Sequence, residues 1–297
     1  MSLLPLSRPR RAGLRGRVVL ATTMMSLALV STATAHDFWI IPDVFAFEPG
    51  AMIHASGRAG TRFPAGNAVQ PVRVASARLI GTATQVTLTQ MSVEGNSLRL
   101  HEKAPAAGQY VIAVTLTSTP TRSTPANLLR FLKAEGGASE AARLDREMAL
   151  AGQDSVVYQA TSYATAIFQV GRGGPRVYAA STGLPLEFTP VTDPGQLHAG
   201  DTLHVKVVGD VKPVPNIGVY AGPAIDTTAA APAAGSAGAP STSLALATDA
   251  NGVLHLPLTS AGAWNLRAAY VYRSASAGVN EWKIARTTYV FHVSSSH

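Results

Sequence analysis

Ala263-Trp264-Asn265-Leu266-Arg267-Ala268-Ala269-Tyr270-Val271-Tyr272 places Trp264, Leu266, Ala268, Tyr270 and Tyr272 on one side of an extended chain. Side chains along a strand alternate between two faces, so this phase reads as a strand with one buried side. The same period recurs on either side. Thr287–Val293 offers Tyr289, Phe291 and Val293; Val253–Leu258 offers Leu254, Leu256 and Leu258. Asp201–Val207 turns Leu203, Val205 and Val207 inward with His204 and Lys206 outward, and Gln109–Leu116 aligns Tyr110, Ile112, Val114 and Leu116. Turn chemistry separates these runs at Glu48-Pro49-Gly50, Glu94-Gly95-Asn96, Ala199-Gly200-Asp201 and Asp249-Ala250-Asn251-Gly252, the last expected to be a hairpin turn. The fold class expected is all-β.

One stretch departs from alternation. Thr124 can cap a helix with Pro125 at its first position, followed by Leu128, Leu129, Phe131 and Leu132 and stopped at Gly136-Gly137. Ser139 reads as the cap of a second helix, with Leu144 and Met148 on one side, Arg143 and Glu147 spaced to pair, and Gly152 as the stop. The chain resumes as strand over Tyr163–Val170, and Gly171-Arg172-Gly173-Gly174 reads as a linker. The organisation expected is an N-terminal β domain over 36–172 with a helical insert at 124–152, then a C-terminal β-sandwich over 184–297. The second domain carries a low-complexity loop at 227–243, made almost wholly of Ala, Gly, Pro, Ser and Thr.

The first 35 residues distort the averages. Arg8, Arg10, Arg11, Arg15 and Arg17 form a basic segment without acids, Val18–Val30 is apolar, and Ala33-Thr34-Ala35 supplies a small-x-small cleavage pattern. A signal peptide over 1–35, cut after Ala35, is therefore expected, and with it a periplasmic location. Its apolar run falls short of the ~20 residues that span a bilayer, and no other stretch comes nearer, so no transmembrane span is expected after cleavage. The net charge of +7 is mostly leader: the remainder carries 19 of the 24 Lys+Arg against 17 Asp+Glu. A nucleic-acid partner, which a basic chain would suggest, falls away. There is no cysteine, which excludes disulfides, thiolate metal sites and cysteine nucleophiles.

Further residues carry a family resemblance. Ala35-His36-Asp37-Phe38-Trp39-Ile40, Gly183-Leu184-Pro185-Leu186-Glu187-Phe188, Thr192-Asp193-Pro194, Gly262-Ala263-Trp264 and the Glu281-Trp282 region resemble a periplasmic family labelled NikM-like. The resemblance implies a soluble envelope protein linked to nickel or cobalt transport, with a transporter or receptor as partner. It departs at Thr161-Ser162-Tyr163-Ala164-Thr165, where the family tends to carry basic residues. The second domain also resembles immunoglobulin-like or prealbumin-like sandwiches.

Cleavage after Ala35 would leave His36 first, so that its α-amine and imidazole chelate one metal; nitrogen donors suit copper or nickel. His54, just past the Pro49-Gly50 turn, is the histidine expected to join it, and Asp37 can add an oxygen or orient His36. The cofactor expected is thus a divalent transition metal (Cu, Ni or Co). His101 lies opposite Leu98 and Leu100 in phase, and His204, His255 and His292 fall on polar phases and read as solvated surface. Trp39 and Trp264 read as core anchors, and Trp282 as core or edge cover. No G-x-S-x-G elbow, H-E-x-x-H helix, phosphate loop or G-x-G-x-x-G turn occurs. The expectation is a metal-binding or accessory protein that is not an enzyme. The alternative is an envelope interaction module that binds protein or polysaccharide without metal.

Overall fold

The structure, a computed structural model, describes residues 37–134, 136–224, 243–273 and 281–295. The signal peptide, His36 and residues 227–242 of the low-complexity loop lie outside the described residues.

The first half of the chain supplies β1 (Asp37–Pro42), β2 (Ala46–Phe47), β3 (Met52–Arg62), β4 (Ala65–Ala68), β5 (Val74–Ile80), β6 (Gln85–Thr87), β7 (Met91–Glu94), β8 (Ser97–Lys103), β9 (Gly108–Leu116) and β10 (Thr121–Ser123). Helices α1 (Pro125–Ala134) and α2 (Ala138–Arg146) follow, then the long β11 (Val156–Val170). The second half supplies β12 (Leu186–Pro190), β13 (Thr202–Gly209), β14 (Lys212–Pro213), β15 (Gly218–Pro223), β16 (Leu244–Ala247), β17 (Val253–Pro257), β18 (Gly262–Arg273) and β19 (Glu281–Val293). Among the described residues the protein is all-β with two short helices.

Three sheets form three layers. The outer sheet of the first half runs β1-β3-β8-β7, with β4 on β3. The outer sheet of the second half joins β12, β13 and β14, with β17 on β13. Between them a ten-stranded sheet runs β16-β15-β18-β19-β11-β9-β5-β6, with β2 and β10 also on β11, and draws strands from both parts of the sequence. Its junction is the parallel pairing of β11 with β19, in register from Val157 opposite Glu281 to Ala166 opposite Val290. The two expected domains therefore keep separate outer sheets but share the middle one.

This sharing explains where the alternation reading falls short. In β9, Tyr110, Ile112 and Val114 pack toward the first outer sheet with Trp39, Ile53 and Leu98. Their neighbours Val111 and Ala113 are equally buried, in the core of Leu203, Val205, Leu254 and Trp264 beneath the second outer sheet. The strand expected to have one buried face has two, as strands flanking a parallel pair usually do. In β19, Val290 packs one way while Tyr289 and Phe291 pack the other. Trp39 and Trp264 are both 1% exposed and anchor the two cores.

The helices depart from their expected caps in detail. Thr124 does cap α1: its hydroxyl accepts from Asn127 N–H at 3.3 Å. The helix after it starts at Ala138, capped by Gly137 rather than Ser139. Ser139 instead lends its hydroxyl to Gly218 N–H of β15 at 2.8 Å, docking α2 on the central sheet. The expected stop at Gly152 is anticipated by Met148, which adopts φ 48° just after the helix. Buried Glu140 accepts from Val271 N–H (2.8 Å) and from Arg143, which itself donates to Val271 C=O (2.7 Å). That pair satisfies both polar groups of Val271 in β18. Trp282, 4% exposed, joins Leu128, Leu132, Leu144 and Ile284 in the core under the helices.

Two turns correct the sequence reading. Asp249–Gly252 does not close a hairpin, because β16 pairs with β15 in the central sheet while β17 pairs with β13 in an outer one. It is an arch that carries the chain between layers. The Gly171–Gly174 linker is pinned: Gly171 N–H donates to Phe47 C=O at 2.7 Å, and Gln169 donates to Gly173 C=O at 2.8 Å. At Gly174, φ is +82° and a Cβ would stand 2.3 Å from the Ala107 carbonyl oxygen, so only glycine fits.

With one sheet common to both cores, the described residues form a single compact unit and unfolding is expected to be cooperative. In Trp264→Phe/Trp282→Phe, the urea transition followed by Trp39 emission should coincide with that followed by far-UV circular dichroism. The same coincidence is expected for Trp264 emission in Trp39→Phe/Trp282→Phe. Separate transitions would show that the halves unfold independently.

Candidate functional site

Of the three residues expected at a metal, His36 lies outside the described residues, and the other two stand apart. Asp37 faces Gly60 in the β1–β3 ladder, six residues along β3 from His54. At 3.2–3.4 Å per residue that is about 20 Å, too far for one ion. Asp37 is also occupied: it is 8% exposed and forms an ion pair with Arg267 of β18, whose guanidinium lies 4.8 Å over the Tyr220 ring. The Asp37–His54 combination is therefore set aside, and Asp37 is a tie between layers.

His54 meets a partner that the sequence reading passed over. β3 and β8 pair antiparallel with His54 directly opposite His101. Buried Ile53, Ala55 and Leu100 flank the two histidines on the inner face, so both imidazoles are held on the outer face of a rigid sheet. The rings meet edge to face, with centroids 4.9 Å apart at 82°, and their Nδ1 atoms are 2.7 Å apart. At that distance one Nδ1 carries the proton and the other offers a lone pair.

Glu94 is placed to favour one assignment. Its Oε1 stands 3.6 Å from His101 Nε2 and accepts the Ser92 hydroxyl at 2.9 Å. A carboxylate at Nε2 favours the tautomer protonated there. In that tautomer His101 would present a bare Nδ1 and His54 would donate to it. Two residues from His101 on β8, Arg99 is bound through Nη1 and Nη2 by Asp43 at 2.9 and 2.5 Å, contacts that raise its pKa further. Its charge is thereby countered beside the pair.

Chemically this is a proton held between two imidazole nitrogens on a half-exposed surface. Two nitrogens bound at about 2.0–2.1 Å to one tetrahedral ion are about 3.3 Å apart, and about 2.9 Å apart at a square-planar ion. A small parting of the rings would admit an ion in place of the proton. Among the described residues no group of three or more His, Cys, Asp or Glu gathers closely enough to hold a metal ion by itself. The arrangement is thus an open, two-nitrogen site with a carboxylate behind it. His101 had a detectable signal in the sequence, its phase opposite Leu98 and Leu100; which strands pair was not written there.

A second feature lies where the halves meet. A cleft of about 760 Å³ is lined by Phe45, Gln169, Arg172, Gln196 and His292 among others. Gln109 braces its floor: the buried side chain accepts from Val177 N–H (3.0 Å) and Tyr178 N–H (2.9 Å) and donates to Asp193 (2.9 Å), which also pairs with Arg176. The His292 ring lies 5.3 Å from that of Phe45, and desolvation lowers its pKa.

The sequence profile of a family described as a domain of unknown function, DUF4198, matches residues 33–272. The chain belongs to this family. No curated protein matches this DUF4198 member. Solved structures similar to it include Salmonella alpha-2-macroglobulin (12% identity over 86% of this chain and 15% of that one, TM-score 0.22). Others are the Yersinia pseudotuberculosis adhesin InvE (14%, 85% and 58%, TM-score 0.21) and the Escherichia coli adhesin FdeC (12%, 85% and 64%, TM-score 0.24). The chain spans less than two thirds of the length of each. Among its described residues no helix is long and apolar enough to cross a membrane.

Two outcomes follow for the DUF4198 chain. Asp37→Ala leaves the part-buried Arg267 guanidinium without its counter-ion and is expected to cost about 1–3 kcal/mol of stability, measured by urea unfolding. Because His292 has a lowered pKa in the fold, the unfolded chain takes up its proton first as pH falls. The stability that neutral His292 contributes is complete above the ordinary histidine value of about 6.5 and is lost as pH drops through and below it. The difference in unfolding midpoint between wild type and His292→Gln should change across that window and stay flat above it.

Proposed function

We propose that this protein is an exported, periplasmic metal-binding or accessory protein, non-enzymatic, that handles a divalent transition metal (copper, nickel or cobalt) for an envelope uptake system. The observation that carries this reading is the His54–His101 pair with Glu94 at its back. Imidazole nitrogens suit these ions. A site with two protein nitrogens leaves positions for water or for ligands of a receiving protein, whereas structural metal sites are closed by four protein ligands. Openness of that kind fits cargo passed onward to a transporter or receptor. The arginine-rich leader and the small-x-small sequence before His36 support export, and the NikM-like resemblance supports nickel or cobalt among the candidate ions.

A second reading, an interaction module without metal, rests on the cleft between the halves. Its mixed lining of Phe45, Gln169, Arg172 and His292 would suit a polar polymer or a protein loop.

Calorimetric titration of the mature chain with Cu(II), Ni(II) and Co(II) separates the two. Binding is expected to weaken at least tenfold in His54→Ala and in His101→Ala, and about tenfold in Glu94→Gln, as loss of an outer-sphere partner usually does. It should also weaken as pH falls, because protons compete for the same nitrogens. Wild-type protein that takes up none of the three ions would sink the metal reading and favour the interaction module.

A further inference from the structure

The constellation at His54 and His101 occurs a second time, on the other outer sheet. β13 and β17 pair antiparallel with His204 directly opposite His255. Their Nδ1 atoms are 2.8 Å apart, and the rings meet edge to face at 82° with centroids 4.8 Å apart. Here too a carboxylate stands at the far nitrogen of one ring: Asp249 Oδ2 lies 3.5 Å from His255 Nε2. We propose that His204 and His255 form a second divalent transition-metal site, with Asp249 as the positioning residue that sets the His255 tautomer.

Three observations carry it. First, the strands hold the imidazoles in place. Leu203, Val205, Leu254 and Leu256 are fully buried beneath them, while Val191 N–H donates to His204 C=O at 2.8 Å and Thr192 Oγ1 accepts from His204 N–H at 3.0 Å. Second, Asp249 is fixed independently of the histidines. Its Oδ1 accepts from Asn251 N–H (2.8 Å) and Val253 N–H (2.9 Å) in the arch between the sheets, which leaves Oδ2 aimed at His255. Third, a carboxylate at Nε2 favours the proton there and bares Nδ1 toward the partner ring, the state in which imidazole binds a metal.

The charges on this face permit a cation. Lys206 lies two residues beyond His204 on the same outward phase and opposes one, while Asp249 favours it. The His255 side chain is 56% exposed against 23% for His101, so the second pair is the more open to water. Two sites of this build, one per outer sheet, give the chain a capacity of two ions.

The proposal rests on its own residues and is tested apart from the first site. The host is the full mature chain carrying His36→Ala, His54→Ala and His101→Ala, which removes the other candidate nitrogens. Titrated with Cu(II) and followed by calorimetry and electron paramagnetic resonance, it should bind one further ion with nitrogen hyperfine structure from two imidazoles. Adding His204→Ala, or the more conservative His255→Gln, should weaken binding at least tenfold and abolish that signature, while Asp249→Asn should weaken it several-fold. Circular dichroism establishes that each variant is folded. No binding by the host, or binding and hyperfine structure unchanged in both His204→Ala and His255→Gln, would overturn the assignment. If the first site fails in wild type while this one binds, the two proposals separate cleanly.

Discussion

Strands β11 and β19 run side by side in the same direction, and everything else in the protein is arranged around that contact. They come from opposite halves of the sequence, yet ten residue pairs stand in register between them. From Ser162 to Ala166 of β11 the pair is buried on both faces, as parallel strands usually are, while residues 157–161 are only partly covered. One outer sheet covers it from the front and the other from the back. Thr288, 3% exposed, is typical of the tight joinery: its hydroxyl donates to Phe38 C=O of β1 at 2.7 Å, and its carbonyl accepts from Thr165 at 3.0 Å. Buried polar atoms of this sort are costly to leave unmatched, about 1–3 kcal/mol each, so the layers have little freedom to slide.

That constraint gives the histidine pairs their meaning. An imidazole on a loose hairpin would sample many rotations, and two of them would seldom meet. Here each pair sits on an outer sheet whose inner face is committed to a core of leucine, isoleucine, valine and tryptophan. The backbone cannot shift register without turning those side chains to water. The polar face inherits the rigidity of the apolar one, and opposed histidines are held at hydrogen-bond distance without any bond to the core. The helical insert serves the same sheet differently, closing the lower ends of β18 and β19 through Glu140, Arg143 and the packing of Trp282.

The two pairs differ in how their carboxylates are held, and the difference follows from local structure. Glu94 comes from β7, beside His101's own strand, and is steadied by the Ser92 hydroxyl. Asp249 comes from an arch and is locked by two backbone N–H groups. A long side chain on a strand and a short one in a turn thus reach the same atom of an imidazole by separate routes. The arch at Asp249 also moves the chain from the central sheet to the outer one, so a single carboxylate serves both the path of the backbone and the orientation of His255.

Alternation in five stretches, turn residues between them and a capped helical interruption were enough to state an all-β chain with two apolar anchors, Trp39 and Trp264, because side-chain direction in a strand is a local property of the backbone. Position along the strand likewise put His101, His204 and His255 on outward phases. Which strands lie beside which is not local. The parallel β11–β19 contact joins residues more than a hundred positions apart and turned strands expected to have one dry face into strands with two. The pairing of β3 with β8, and of β13 with β17, brought four histidines together in twos and carried Asp37 away from His54 to its own partner, Arg267. Register is settled by the summed packing of whole layers, which no single stretch of the chain contains; that is why the sequence offered His54 as a ligand but joined it to Asp37, and read His204 and His255 as solvated surface, while the histidine pairs came only from the fold.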